Sequence, residues 1–242
     1  MIRIAAAGDL HFDRGSEGKI SEHFEILKMN ADFLLLAGDL TQTGDPEEMK
    51  VLAKDLRFCP VPTIAVLGNH DYHSNKVDIV TEILKENNVS VLESSSIILN
   101  IQNFTIGIAG CKGFGGGFIG TSCADFGEEE MKSFIRHSKD VAHKLKMIIH
   151  DLKTDYKIVL LHYSPTPQTL FGEKKEIYPF LGSHLLADAI DSDVVDLVFH
   201  GHAHKGIEKG ETPGGTPVRN VAQPVIRHPF NFYQIEKNHL SK

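Results

Sequence analysis

A short apolar run ending in Gly followed by Asp or Asn occurs three times between Ile2 and Asp71. Ile2–Ala7 leads into Gly8-Asp9-Leu10-His11, residues 32–37 into Gly38-Asp39, and residues 63–67 into Gly68-Asn69-His70-Asp71. Runs this short and this continuously apolar read as strands buried on both faces. Helical periods separate them: Ile20, Phe24 and Leu27 in the first interval, then Met49, Leu52, Ala53 and Leu56 in the second. Pro46 opens that second helix with Glu47 and Glu48, placing proline in the first turn and acids at the positive end of the dipole. Residues 77–87 carry a further amphipathic period through Val80, Ile83 and Leu84. Strands alternating with helices predict parallel strands joined by right-handed crossovers. Ligands in such sheets bind beyond the carboxyl ends of the strands, and Asp9, His11, Asp39, Asn69 and His70 fall at that edge. A single Gly-Asp after a strand is ordinary turn or cap chemistry. Three in succession, each bringing a side chain able to bind metal, are not explained that way.

Past residue 95 the pattern changes. Residues 96–101 and 104–109 are β-rich and meet at Gln102-Asn103, as in a hairpin. The Gly-rich stretch 112–126, KGFGGGFIGTSCADF, matches neither a P-loop nor a dinucleotide fingerprint. It reads either as a flexible surface loop or as a rim over a site. Residues 128–149 form a long amphipathic helix with Met131, Phe134, Ile135, Ala142, Leu145, Ile148 and Ile149 on its apolar stripe. That leaves His137, His143 and His150 on or near the solvated face. A strand at 157–161 ends in His162-Tyr163-Ser164-Pro165, an aromatic, Pro-containing loop runs over 165–180, and a short helix is expected at 183–190. Residues 207–211 and 217–222 form a hairpin around Pro213-Gly214-Gly215, and Phe230, Phe232, Tyr233 and Ile235 mark a last strand. No repeat, low-complexity tract or linker interrupts the chain, which predicts a single domain over 1–242.

Residues 196–204, DLVFHGHAH, run from an apolar strand into three histidines spaced two apart. If the extended backbone persists past Phe199, His200, His202 and His204 all project to one face. Neutral imidazoles so placed bind metal; a surface His tract with incidental metal affinity is the alternative. With 25 Lys and Arg against 32 Asp and Glu, the net charge of −7 gives no general attraction for nucleic acid. A phosphate ligand therefore needs local positive charge, which a metal centre supplies. Cys59, Cys111 and Cys123, with no C-x-x-C, give neither a disulfide framework nor a zinc ribbon. No signal-peptide pattern opens the chain, and no apolar run approaches the roughly 18 residues a membrane helix needs. The expectation is a soluble, cytoplasmic protein with a small substrate, no large nucleic-acid surface and no membrane partner; the residues do not set its oligomeric state.

Five strand ends thus carry Asp9-Leu10-His11, Gly38-Asp39, Gly68-Asn69-His70-Asp71, His162 and Gly201-His202-Ala203-His204. In this order the set resembles the signature of the calcineurin-like metallophosphoesterase family: D-x-H, GD, GNH followed by D or E, H, and GHxH. The resemblance implies an α/β fold, a four-layer α/β/β/α sandwich of two mixed sheets flanked by helices, with a metal site at the strand carboxyl ends. It implies that Asp9, His11 and His204 bind one metal, that Asn69, His162 and His202 bind a second, and that Asp39 bridges them. His70 would be the acid rather than a ligand. His200 lies outside the signature, which implies a supporting or packing role.

Two divalent ions are expected, Mn first with Fe or Zn as alternatives, since no thiolate is offered. Such ions, about 3.5–4 Å apart, clamp an in-line displacement and lower the pKa of the attacking water. The family's Ser/Thr phosphatase branch carries Asp-Arg after its GD block and Glu after GNH. Here Leu40-Thr41-Gln42-Thr43 and Asp71 stand in those places, which points to the phosphodiesterase and phosphomonoesterase branch. The implied activity is hydrolysis of small phosphate esters, diesters first, with monoesters or nucleotide pyrophosphates as alternatives. A non-catalytic scaffold is the competing reading from another class; the full set of ligands plus His70 speaks against it.

Overall fold

The computed structural model describes residues 1–236. The repeated unit builds the first sheet as its pattern predicts. β1 (Ile2–Ala7), β2 (Phe33–Ala37), β3 (Thr63–Val66) and β4 (Val89–Val91) lie side by side, all parallel. Their crossovers carry α1 (Phe24–Asn30), α2 (Pro46–Leu56), the one-turn α3 (Asn69–Tyr72) and α4 (Val77–Glu86). Asp45 caps α2 by accepting the Glu47 N–H at 3.2 Å, with Pro46 in the first turn. β4 has no counterpart in the sequence reading, because three residues are too few to show a period.

The predicted hairpin of β5 (Ser95–Ile101) and β6 (Phe104–Cys111) opens the second sheet and turns at Gln102, whose φ is +55°. The chain continues through β7 (Gly117–Phe118), β8 (Thr121–Ser122), α5 (Glu129–Asp151), β9 (Tyr156–Leu161), α6 (Tyr178–Leu181) and α7 (His184–Ile190). β10 (Leu197–His200), β11 (Lys209–Glu211), β12 (Pro217–Asn220), α8 (Gln223–Ile226) and β13 (Asn231–Ile235) follow. The second sheet has the order β11-β12-β10-β9-β6-β5, and β13 returns to the first, giving β13-β1-β2-β3-β4. β13 runs antiparallel to β1, so both sheets are mixed.

Strand alternation decides what lies between the layers. From the second sheet, Ile106, Ile108, Ile158, Leu160, Leu197 and Phe199 join one core with the first sheet and with α1, α2 and α4. The intervening Ala109, Cys111, Val159, Leu161 and Val198 pack instead against α5 and α7. The result is the expected α/β/β/α order. Leu34, Leu35 and Leu36 are fully buried between these layers, and each such side chain contributes about 1.5–3 kcal/mol.

The stripe expected on α5 is buried at Ile135, Ala142, Leu145 and Ile149, while Met131 in the first turn is exposed. His137, His143 and His150 are exposed, as their place opposite the stripe requires. Two stretches expected as loops hold local structure. The Gly-rich one contains the β7–β8 ribbon, and its first half is largely buried. Residues 165–180 contain two short 3-10 turns, Pro167–Leu170 and Lys175–Ile177, ahead of α6. No helix among the described residues is long and apolar enough to cross a membrane.

Candidate metal centre

The carboxyl ends of β1, β2, β3, β9 and β10 meet at one edge of the sandwich. Asp9 and His11 follow β1, Asp39 follows β2, Asn69 and His70 open α3 after β3, His162 follows β9, and His202 and His204 follow β10. Two groups form there and share Asp39. Asp9, His11, Asp39 and His204 bring one ligand atom each within 4.8 Å of one another, and so do Asp39, His162 and His202. Asn69 adjoins the second group, its Oδ1 3.0 Å from His162 Nε2.

The backbone is bent to make this possible. Asp9, His11, Asp39 and His202 all have left-handed conformations, with φ of +56°, +46°, +47° and +69°. Two glycines admit the carboxylates. A Cβ on Gly68 would stand 2.1 Å from Asp39 Oδ1, and one on Gly201 would stand 2.3 Å from Asp9 Oδ2. No side chain fits at either place.

The electrostatics of these groups ask for a cation. His162 is fully buried, and its Nδ1–H donates to the Ala37 carbonyl at 2.9 Å. Burial holds its pKa well below the histidine range, so the ring is neutral. Nε2 therefore turns a lone pair toward Asn69 Oδ1 at 3.0 Å and Asp39 Oδ1 at 3.3 Å. Three acceptors converge with no proton to share. His202 repeats the pattern: Nε2–H donates to the Phe180 carbonyl at 3.2 Å, which leaves Nδ1 as the lone-pair nitrogen, and burial lowers its pKa to about 3. Burial likewise lowers His11 to about 4 and pushes the Asp9 carboxyl up to about 6. Among the shifted histidines of the site only His204 is raised, chiefly by its 2.8 Å hydrogen bond to Asp9. Every ion-pair partner of Asp9 and Asp39 among the described residues is a histidine. Carboxylate, imidazole and amide-oxygen donors without thiolate fit divalent first-row ions.

The sequence matches the family model for calcineurin-like phosphoesterases over residues 2–206. The chain belongs to the calcineurin-like phosphoesterase family. It is accordingly a metal-dependent hydrolase of phosphate esters. Solved structures share the fold at low identity. The phosphopantetheinyl hydrolase from Mycobacterium tuberculosis matches with a TM-score of 0.70 at 13% identity, over 99% of this chain and 98% of that one. TT1561 of Thermus thermophilus matches with a TM-score of 0.55 at 18% identity, over 97% and 99%. No curated protein matches the sequence.

In this phosphoesterase only two of the three histidines after Phe199 reach the site. The strand expected over 196–204 ends at His200. Alternation puts His200 on the face of Val198, opposite Phe199, and the left-handed turn at His202 then redirects the chain. His200 is fully buried; its Nδ1–H donates to the Gly201 carbonyl at 2.7 Å, and Nε2 accepts the Thr169 hydroxyl at 2.8 Å. It thereby ties the turn at Pro167–Leu170 to the segment bearing His202 and His204. His200→Ala should keep two ions per chain and lose activity on the order of 10–100-fold, as outer supports of metal ligands do. Metal analysis beside kcat checks this, and loss of an ion would move His200 into the ligand set.

Asp71, read from the sequence only as a branch marker, braces the site. Its buried carboxylate accepts from Leu40 N–H at 3.1 Å, Thr41 N–H at 2.8 Å, the Thr41 hydroxyl at 2.7 Å and Gly68 N–H at 2.8 Å. It clamps the segment after Asp39 to the one before Asn69. Asp71→Ala strands these donors and should cost about 3 kcal/mol or more of unfolding free energy. A denaturant titration showing a loss under about 1 kcal/mol would contradict the brace.

Proposed function

We propose that the chain is a cytoplasmic phosphodiesterase that cleaves small diesters with two bound ions, manganese first and iron or zinc as alternatives. Asp9, His11 and His204 would hold one ion, Asn69, His162 and His202 the other, and Asp39 both. The observation that carries this reading is the membership of Asp39 in both ligand groups. Bound ions would supply Lewis-acid polarisation of the phosphoryl oxygens and a water nucleophile of lowered pKa. The remaining work falls to the chain. His70 Nδ1 lies 2.7 Å from the Gln42 carbonyl, which fixes it as the donor to that oxygen. When the ring is doubly protonated, Nε2 carries the second proton, which it would give to the leaving oxygen. The ring stands edge-on to His11 at 4.6 Å.

Beside His70 opens a cavity of about 270 Å³ lined by Gln42, Thr43, Asn69, His70 and His73. It offers room for a leaving group, and its lining has no lysine or arginine. That suits an uncharged leaving arm such as a diester carries. The residues after Gly38-Asp39 and after His70 favour the same branch, and the unpaired state of all three cysteines suits a reducing compartment. The test is kcat/KM on bis-p-nitrophenyl phosphate and p-nitrophenyl phosphate with Mn²⁺, Fe²⁺ or Zn²⁺. The diester should be preferred roughly tenfold or more. A preference for the monoester would make the chain a phosphomonoesterase, and no turnover with any of these ions would favour a scaffold.

A further inference from the structure

Lys112 stands at the same edge, outside the hydrolytic machinery. It follows β6 as His162 follows β9, and the two strands pair in parallel with Cys111 opposite Leu161. The His162 N–H donates to the Lys112 carbonyl at 3.0 Å. Paired strands lie about 4.8 Å apart, so Lys112 is the next residue along the edge from His162. Alternation continues the row Ile106, Ile108 and Gly110 into Lys112. That row faces the first sheet and the ligand groups, whereas Cys111 enters the core under α5 and α7.

The ammonium is held by rings. Nζ lies 4.7 Å from the centre of Tyr72, 5.1 Å from Phe114 and 5.5 Å from Tyr163. Two of these rings are built into the site. Tyr72 closes the helix that Asn69 and His70 open, and Tyr163 follows His162 with its ring 4.4 Å from that of His202. Phe114 packs on Tyr163 at 5.9 Å. Aromatic faces hold a cation in place without cancelling its charge. Glu93 and Asp39 are the carboxylates near enough to act on it. Glu93 already accepts the Tyr72 hydroxyl at 3.1 Å, and Asp39 belongs to both ligand groups. Neither pairs directly with Nζ among the described residues. Three ammonium donors thus stand beside the site with no protein acceptor among the described residues.

Building on the phosphodiesterase reading, we propose that Lys112 receives a second phosphate carried by the same substrate as the diester being cleaved. The substrate class is then a phosphorylated phosphodiester, of which a nucleotide diester with a further phosphate on the sugar is the simplest form. An anion at Lys112 completes the ammonium's hydrogen bonds and fixes the substrate beside His162.

Thymidine 5′-(p-nitrophenyl phosphate) and its 3′-phosphorylated form share a leaving group and differ only in the second anion. The metal-loaded wild type should favour the 3′-phosphorylated ester roughly tenfold or more in kcat/KM, with the gain in KM. Lys112→Met keeps the stem among the rings and removes the charge, so the ratio should fall to about one. Lys112→Arg should restore much of it. No preference in the wild type, or an unchanged ratio in Lys112→Met, overturns the proposal. Calorimetry with thymidine 3′,5′-bisphosphate and thymidine 5′-monophosphate separates it from the hydrolytic reading. Tighter binding of the bisphosphate that Lys112→Met abolishes upholds Lys112 even if neither ester is turned over. Equal binding in the wild type removes it even if both esters are.

Discussion

Asp39→Ala should strip both ion positions and leave no turnover above background. The two oxygens of Asp39 face different groups: Oδ1 is 3.3 Å from His162 Nε2, and Oδ2 is 4.0 Å from His11 Nε2. Among the described residues no other side chain belongs to both groups. Its loss removes the one negative charge of the His162 group, leaving imidazoles and an amide to hold a doubly charged ion. It also removes one of two carboxylates from the other group. Oδ1 has a further task, since it accepts the His70 N–H at 2.8 Å. Asp39→Asn is therefore the companion variant: it retains an acceptor for that N–H while discarding the charge. Asp9→Asn should behave differently and weaken mainly the group that contains His11 and His204. Elemental analysis after dialysis decides the matter. Two ions per chain in Asp39→Ala would show that the shared position is not a bridge.

The second large effect is expected at His70. Its Nδ1 hydrogen bond to Gln42 and its position off both ligand groups leave Nε2 for substrate chemistry. An alkoxide leaving group needs a proton as the ester bond breaks, and p-nitrophenolate scarcely does. His70→Ala should keep both ions and lose roughly 10²–10⁴-fold in kcat on an alkyl or nucleoside diester, the usual worth of a general acid. The loss on the p-nitrophenyl ester of the same acid should be clearly smaller. Equal losses on the two would make His70 a positioning residue that orients Asn69 or the phosphate.

Both residues could be placed from sequence because each lies at a strand end, and a buried strand of five or six apolar residues declares its own end; their roles came from the resemblance to the family. The same logic fails where position depends on partners distant in the chain. The tail of β10 shows this. The two-residue spacing of its histidines suggested one face, but extended geometry stops at His200, and Thr169, from another part of the chain, claims that ring. Asp71 could be seen as part of a motif, yet its grip on Leu40, Thr41 and Gly68 comes from a crossover that brings the ends of β2 and β3 together. Lys112 sat at the head of a stretch read as a loop; only the pairing of β6 with β9 puts it beside His162. β4 and the two 3-10 turns are short enough that tertiary packing, not local periodicity, decides them.

The left-handed backbone at Asp9, His11, Asp39 and His202 bears on how much of this protein a cell can keep. Such conformations cost on the order of 1–3 kcal/mol each in residues other than glycine, and the unloaded chain must carry that cost unaided. An ion at a hundred times its dissociation constant returns about 2.7 kcal/mol to the folded state. Domains are stable by only about 5–15 kcal/mol, so these are large fractions of the margin against unfolding. Metal starvation would then do more than idle the enzyme. It would expose the chain to proteolysis, and copy number would fall together with activity.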